Sequence, residues 1–379
     1  MKNLIKKINR IFQDYMRKKR LKIGKYIWDR KDRVKILEGN NFLKDNNIKS
    51  ILFLRYDGKI GDMIVNSLMF REIKKVYPDI KIGVVARGAA IDIIRENPNV
   101  DKIYEYYKDR KKIKDLALKI KEEKYDLLID FSEMLRVNQM MLINLCRARF
   151  NIGLDRKAWK LFDLSIESGK DFKWTEHITN RYLAYLIKLG LKKENIDISY
   201  DIYLKDEKKY EDFFNEIKEN KKIILNPYGA SKHKSFNIET LENIITCLKD
   251  KDIAIILVYF GDKYRELEAL EKKYTNVYIP KNIINILDTA LLIKESDYVI
   301  TPDTSIVHIA SAFNKKMITV YPPKGGKYGV DHLVWAPKSE YSKVIFCKDK
   351  TGNYDEIDIN TFNFDEMKEE ILKLINNSD

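Results

Sequence analysis

The stretch ILFLRYDGKIGDMIVNS, residues 51–67, passes from four apolar residues into a loop holding two aspartates and two glycines, then straight into a helical pattern. A short apolar run that gives way at once to helical periodicity predicts a buried strand, a loop and a helix. The strand is expected over Ile51–Leu54 and the helix over Met63–Val76, stopped near Pro78. The same alternation continues with strands at Lys81–Ala86, Lys102–Tyr106 and 126–130, and helices near Ala89–Glu96 and 111–123. Strands separated by helices of this length pair in parallel through right-handed crossovers, so residues 49–205 read as one doubly wound domain.

A second start lies at KKIILNPYGASKHKSF, residues 221–236, and is followed by IAIILVYFGD (253–262), VYIP (277–280) and DYVITPDTSIVHIASAFNKKMITVYPP (297–323). Residues 206–360 therefore read as a second Rossmann-like half, with the charged, strand-poor segment 187–220 as the connection. The tail, 361–379, holds an amphipathic helix that could cross back over either half. The class is α/β, two doubly wound parallel sheets preceded by a leader, residues 1–48.

Composition narrows the function. The 379 residues are 45% hydrophobic and 11% aromatic against 34% charged, which suits a packed two-domain protein. Residues 1–37 hold 14 Lys/Arg against Asp14, Asp29 and Asp32, a surplus of 11 in a chain whose net charge is +14. The basicity thus belongs to the leader, and a nucleic-acid-binding body is not expected. Cys146, Cys247 and Cys347 are widely spaced and form no zinc pattern, which fits a reducing compartment. The longest clear apolar run is AIILVYF (254–260), too short to span a bilayer, and the N-terminus lacks a signal-peptide core, so a cytoplasmic protein is expected.

In the leader, Ile5, Ile8, Phe12, Tyr15 and Met16 fall on one helical stripe, while Lys2, Lys6, Lys7, Arg10 and Arg17 fill the rest. One reading is an interfacial helix on an anionic membrane surface, engaged through residues 1–37. The other is a helix packed on the body with a solvated basic face.

Ligands of open parallel sheets sit beyond the carboxyl ends of the strands, where helix N-termini present free N–H groups. Asp62 stands where the first helix should begin and reads either as an N-cap or as a general base facing an inter-domain cleft, with Gly61 allowing close approach of a ligand to the backbone. Arg55 and Asp57 read as an ion pair. In the second half, Gly229, Ala230 and Ser231 offer small residues whose amides could reach phosphate, with Lys232 and Lys234 as cations. Asp303, Thr304 and Ser305 open a helix carrying His308 one turn on from Thr304. These residues read either as caps and a satisfied buried imidazole or as a diphosphate site. No metal motif accompanies them: Asp250-Lys251-Asp252 falls at a helix-to-strand turn.

Together these loops resemble the lipopolysaccharide heptosyltransferases of glycosyltransferase family 9. The resemblance runs from Asp57-Gly58-Lys59-Ile60-Gly61-Asp62, which has one extra residue after Asp57, through NPNVDKIYEY (97–106) and YDLLIDF (125–131) to LNPYGASKHKSF and PDTSIVHIASAF (302–313). It implies a GT-B fold, an ADP-activated heptose donor as substrate with no cofactor, and inverting, metal-independent transfer to a hydroxyl of a lipid-linked core or surface glycan. By the same resemblance Asp62 is the base, Lys234 the phosphate-binding lysine, and Asp303, Thr304 and His308 the donor-binding set. A peripheral location on the inner face of the cell membrane follows as an expectation. Ser305, where the family commonly has Gly, and the leader depart from the pattern. Another sugar nucleotide such as a UDP sugar, a non-catalytic nucleotide-sugar-binding scaffold, and nucleic-acid binding by the leader are the competing readings.

Overall fold

The computed structural model describes residues 2–32, 34–37, 39–325, 329–349 and 357–376; the side chains of residues 2–8, 10, 11 and 14 lie outside this description. Among the described residues twelve strands form two six-stranded sheets in which every pairing is parallel. The first holds β1 (Ser50–Arg55), β2 (Lys81–Ala86), β3 (Lys102–Glu105), β4 (Leu127–Asp130), β5 (Phe150–Leu154) and β6 (Leu164–Ile166) in the order β3-β2-β1-β4-β5-β6. The second holds β7 (Lys221–Leu225), β8 (Ile253–Leu257), β9 (Val277–Tyr278), β10 (Tyr298–Pro302), β11 (Lys316–Tyr321) and β12 (Ser342–Phe346) in the order β12-β11-β10-β7-β8-β9. Both orders reverse beside their first strand, so each sheet has one topological switch point, between β1 and β4 and between β7 and β10.

The helices that matter below are α1 (Lys2–Trp28), α2 (Ile60–Val76), α3 (Val137–Cys146), α4 (Ile178–Lys188), α5 (Ser305–Ala312) and α6 (Phe364–Asn376). The strands are apolar at successive positions because helices cover both faces of each sheet. In β1, Ile51 and Phe53 enter one apolar cluster while Leu52 and Leu54 enter another. The first cluster does not stop at the edge of its half. It runs from Ile64, Leu68 and Ile94 through Ile224, Val299, Ile306 and Ala310 of the second sheet and its helices, all almost fully buried. Each such aliphatic side chain contributes about 1.5–3 kcal/mol by leaving water, so the halves are joined by a shared core as well as by chain.

Residues 2–28 form one unbroken helix, as the leader's periodicity predicts. Of its expected stripe, Ile5 and Ile8, with Lys2, Lys6, Lys7 and Arg10, lie outside the described side chains, whereas Phe12 and Tyr15 are exposed. The last turns of α1 pack on α3. A Cβ at Gly24 would stand 2.6 Å from Val137 Cγ2. Asn144 donates to the carbonyls of Trp28 (3.0 Å) and Arg30 (2.7 Å), Leu161 N donates to Asp29 Oδ1 (2.8 Å), and Lys31 Nζ meets Asp163 Oδ2 (2.5 Å). The tail helix α6 packs its Met367, Ile371 and Leu374 into the core of the second sheet.

Candidate active site

Beyond the carboxyl end of β1 the chain turns through Asp57, whose Oδ1 accepts from Lys59 N (3.2 Å), and enters α2 at Ile60. Lys59 is the N-cap and makes no side-chain cap bond, so Asp62 lies inside the first turn. The N-cap reading of Asp62 is therefore corrected: the helix starts three residues earlier than its apolar periodicity predicts, and the carboxylate is left for other partners. Arg55, almost fully buried, brings its Nη2 within 2.5 Å of Asp62 Oδ1 and 3.3 Å of Asp57 Oδ2. Burial would lower the pKa of Arg55, but Tyr182, Asp57 and Asp62 raise it further, and the guanidinium stays charged. The Arg55–Asp57 pair expected from sequence is thus half of a three-membered group. The contact with Asp62 is a charge-assisted one at hydrogen-bond distance. The Phe131 ring centroid lies 5.4 Å from the guanidinium carbon, and the buried hydroxyl of Tyr182 has no hydrogen-bond partner among the described residues.

Asp62, Arg55, Asp57 and Tyr182 line a cleft of about 1310 Å³ that also meets Asp331 and Trp335 of the second half. That volume exceeds the roughly 300–1,000 Å³ of ordinary small-molecule pockets, leaving space for more than one substrate. At the neighbouring switch-point strand, Asp130 takes hydrogen bonds from Tyr56 (2.7 Å) and Ser132 (2.5 Å), and Glu133 Oε1 accepts from Arg181 (2.7 Å). Arg181 in turn lies 4.2 Å over Trp174.

In the second half, the switch point is tied by Asn226, which donates to Thr301 Oγ1 at 2.9 Å. The following loop folds on itself. Gly229 N donates to Ser235 Oγ (3.0 Å), and a Cβ on Gly229 would overlap the carbonyl of Lys234 at 1.9 Å. The Gly229 amide is thereby engaged within the loop, which corrects its expected role as a free phosphate donor. Ala230 is exposed, and the buried Ser231 Oγ beside it has no partner. Thr304 caps α5 by accepting from Ile306 N (3.1 Å), Ser305 opens that helix, and Asp303 bonds Val320 O through its own N–H (2.9 Å). Burial pushes the Asp303 carboxyl up to about 6, opposed by Lys234 and reinforced by Asp331.

His308 is brought to the first half, not to the cleft wall. Its ring occupies the space a Gly61 side chain would need, 2.6 Å from the position of that Cβ. Gly61 thus admits an imidazole from the opposite half where sequence suggested a ligand. Tyr200 and Trp335 stand at 6.2 and 5.7 Å from the His308 ring. Burial, with a smaller repulsion from His177, holds the His308 pKa down at about 3, and Nδ1 has no partner among the described residues, so the group is a neutral wedge. His177 caps α4 and bridges the halves through Nε2, 3.1 Å from Ala336 O, while Nδ1 accepts from Thr179 N (3.3 Å); burial lowers its pKa to about 4.

Sequence reasoning missed Tyr182, Arg181, Glu133, Asp331 and Trp335, and did not join Arg55 to Asp62. It also missed that α1 lines the cleft with Arg17, Arg20 and Trp28. Among the described residues, no three His, Cys, Asp or Glu side chains converge as a metal ligand set, and no helix is long and apolar enough to cross a membrane.

Residues 113–340 match the family described as glycosyltransferase family 9 (heptosyltransferase). Lipopolysaccharide heptosyltransferase 1 of Campylobacter coli is 23% identical over 334 residues, covering 83% of this chain and 95% of the relative. Among solved structures, the glycosyl transferase family 9 protein from Veillonella parvula superposes with a TM-score of 0.69 at 15% identity, covering 87% of this chain and 98% of that one. Escherichia coli heptosyltransferase WaaC with ADP-2-deoxy-2-fluoro heptose superposes at 0.66 and 14% identity, covering 86% and 99%. Two facing doubly wound sheets joined across a cleft are the GT-B fold, and with a family match over more than half its length the chain belongs to glycosyltransferase family 9 and is a glycosyltransferase.

Proposed function

We propose that this enzyme moves a heptose-type sugar from an ADP-activated donor to a hydroxyl of a lipopolysaccharide core or surface glycan, inverting the anomeric centre without a metal ion. The observation that carries the reading is Asp62: a carboxylate in the first turn of α2, paired with buried Arg55 and open to a cleft shared by both halves. The relatives named above for heptosyl transfer supply the substrate class. In this scheme the acceptor oxygen attacks the anomeric carbon and Asp62 takes its proton as the new C–O bond forms. The bond to the diphosphate breaks on the opposite face. Its charge is met by Lys234 and by the N-terminus of α5 beside Asp303, Thr304 and Ser305, with Ser231 able to donate from the adjoining loop. His308, being neutral, serves the packing of α5 on α2. The exposed Phe12 and Tyr15 and the basic residues of α1 fit a peripheral position on the inner face of the cell membrane.

Asp62→Asn tests the base. With ADP-heptose and deep-rough lipopolysaccharide, followed by mass spectrometry of the product, turnover should fall at least about 100-fold, while ADP affinity measured by calorimetry stays at the parental value. Turnover at the parental rate would remove Asp62 from the mechanism, and tighter binding of UDP than ADP would replace the donor.

A further inference from the structure

The sequence of α4, ITNRYLAYLIK, repeats its large apolar positions at Ile178, Tyr182, Tyr185 and Leu186, the i, i+4, i+7 and i+8 spacing of a helix laid on a core. Burial alone would be served as well by phenylalanine at 182 or 185, so each tyrosine hydroxyl needs its own account. Tyr185 donates to Asp130 O at 2.8 Å, and Tyr56, the residue after β1, donates to Asp130 Oδ1 at 2.7 Å. Tyr182 is only 2% exposed, and its hydroxyl has no hydrogen-bond partner among the described residues.

That hydroxyl lies at the proposed reaction site. The Tyr182 ring stands edge-on to Phe131 with centroids 5.3 Å apart, and the Arg55 guanidinium carbon lies 5.4 Å from the centroid of the same Phe131 ring. Arg55 holds Asp62, and all four residues line the cleft. Burial raises the pKa of the Tyr182 phenol, Arg55 opposes the shift, and Asp62 and Asp57 add to it, so the group is a neutral hydroxyl in the field of the residues at the strand mouth. The carboxylates around it have partners already: Asp57 and Asp62 meet Arg55, and Glu133 meets Arg181. A buried polar group without a partner costs stability, and a ligand that completes it in the bound state recovers that cost.

We infer that the Tyr182 hydroxyl hydrogen-bonds a hydroxyl group of the saccharide acceptor beside Asp62, which makes Tyr182 an acceptor-binding residue that selects for an oxygen at that position of the sugar. The inference rests on the reading that the cleft holds a saccharide acceptor. A phenol donates one hydrogen bond and accepts others, which suits a sugar hydroxyl, itself both donor and acceptor. An acceptor lacking that oxygen leaves Tyr182 unpaired, and a site built to pair with a hydroxyl rejects such an analogue.

The test is Tyr182→Phe in the full-length protein, a change that removes one oxygen and keeps the ring against Phe131. Two measurements are made side by side: calorimetric binding of the core oligosaccharide of deep-rough lipopolysaccharide, freed of its acyl chains, and melting by differential scanning calorimetry. The variant should bind the oligosaccharide about five- to tenfold more weakly, bind ADP as the parent does, and melt at or above the parental temperature, since no bond of the free protein is lost. Tyr185→Phe, which gives up its bond to Asp130 O, should melt lower and sets the scale for a hydroxyl that serves the fold. Unchanged oligosaccharide affinity in Tyr182→Phe would overturn the inference and leave the hydroxyl to a buried water. A melting temperature that drops as far as that of Tyr185→Phe would overturn it too, by showing that the hydroxyl is held within the fold. If the parent itself fails to bind the oligosaccharide, the acceptor reading falls and this inference with it, an outcome distinct from parent and variant binding alike.

Discussion

Gly61→Ala introduces one methyl group where the two halves touch. The Cβ would stand 2.6 Å from His308 Cδ2 and 3.3 Å from Nε2, closer than carbon atoms pack. The imidazole has little room to retreat, because it is buried between Tyr200 and Trp335 and sits on α5, whose Ile306, Val307 and Ile309 are fixed in the shared core. Forcing an extra methyl into such a site costs about 1–3 kcal/mol. At about 2–4 °C per kcal/mol, that lowers the melting temperature by roughly 2–12 °C. Differential scanning calorimetry reads the shift. His308→Ala, which opens a cavity of its own, should relieve the clash in the double variant, giving a coupling of at least about 1 kcal/mol in the double-mutant cycle. A single variant that melts within a degree of the parent, or two losses that simply add, would refute the claim that Gly61 exists to admit His308.

Two further predictions concern pH and have opposite signs. His177 has its folded pKa lowered to about 4, so between about pH 6.5 and 4 the unfolded chain binds a proton that the native state refuses. Its contribution is present above 6.5 and lost as pH falls through that window. Urea midpoints should show His177→Asn, which keeps a capping side chain, losing less stability than the parent between pH 7 and 5; parallel losses would count against it. Asp303, raised to about 6, holds a proton in the native state that the unfolded chain releases near 3.8, so native stability falls as pH rises between about 4 and 6. Asp303→Asn should therefore stabilise the protein at pH 7 and have little effect at pH 4, and an equal effect at both would contradict the burial argument.

What could be read from sequence follows the range of the forces involved. β1, β2, β4 and β10 are runs of apolar residues because helices cover both sides, and such runs stand out without tertiary knowledge. The capped start of α5 was also legible, since Thr304 bonds an amide two residues away. β5, β6, α3 and α4 went unread, and with them Tyr182 and Arg181, which come to the cleft with α4 as it packs on α2 and beside β6. The partnership of Arg55 was read only in part, for a similar reason. Asp57 is nearer in sequence, but the turn at Gly58, with its φ of +76°, and the start of α2 at Ile60 bring Asp62 back over the guanidinium. The leader's helix was evident from periodicity, whereas its seat was not: Trp28 and Asn144, or Asp29 and Leu161, lie more than a hundred residues apart.

The distribution of charge around the cleft explains why one imidazole and one carboxylate at the same junction are treated so differently. Asp62 and Asp57 share a single buried arginine at the strand mouth. A carboxylate has acceptor sites for several donors, so Asp62 can meet Arg55 and still accept from a hydroxyl brought into the cleft. Burial and the neighbouring His177 hold His308 neutral, which lets α5 close on Gly61 without burying an unpaired charge. In the proposed mechanism the charge of a departing diphosphate falls to Lys234, which is close enough to depress the titration of Asp303.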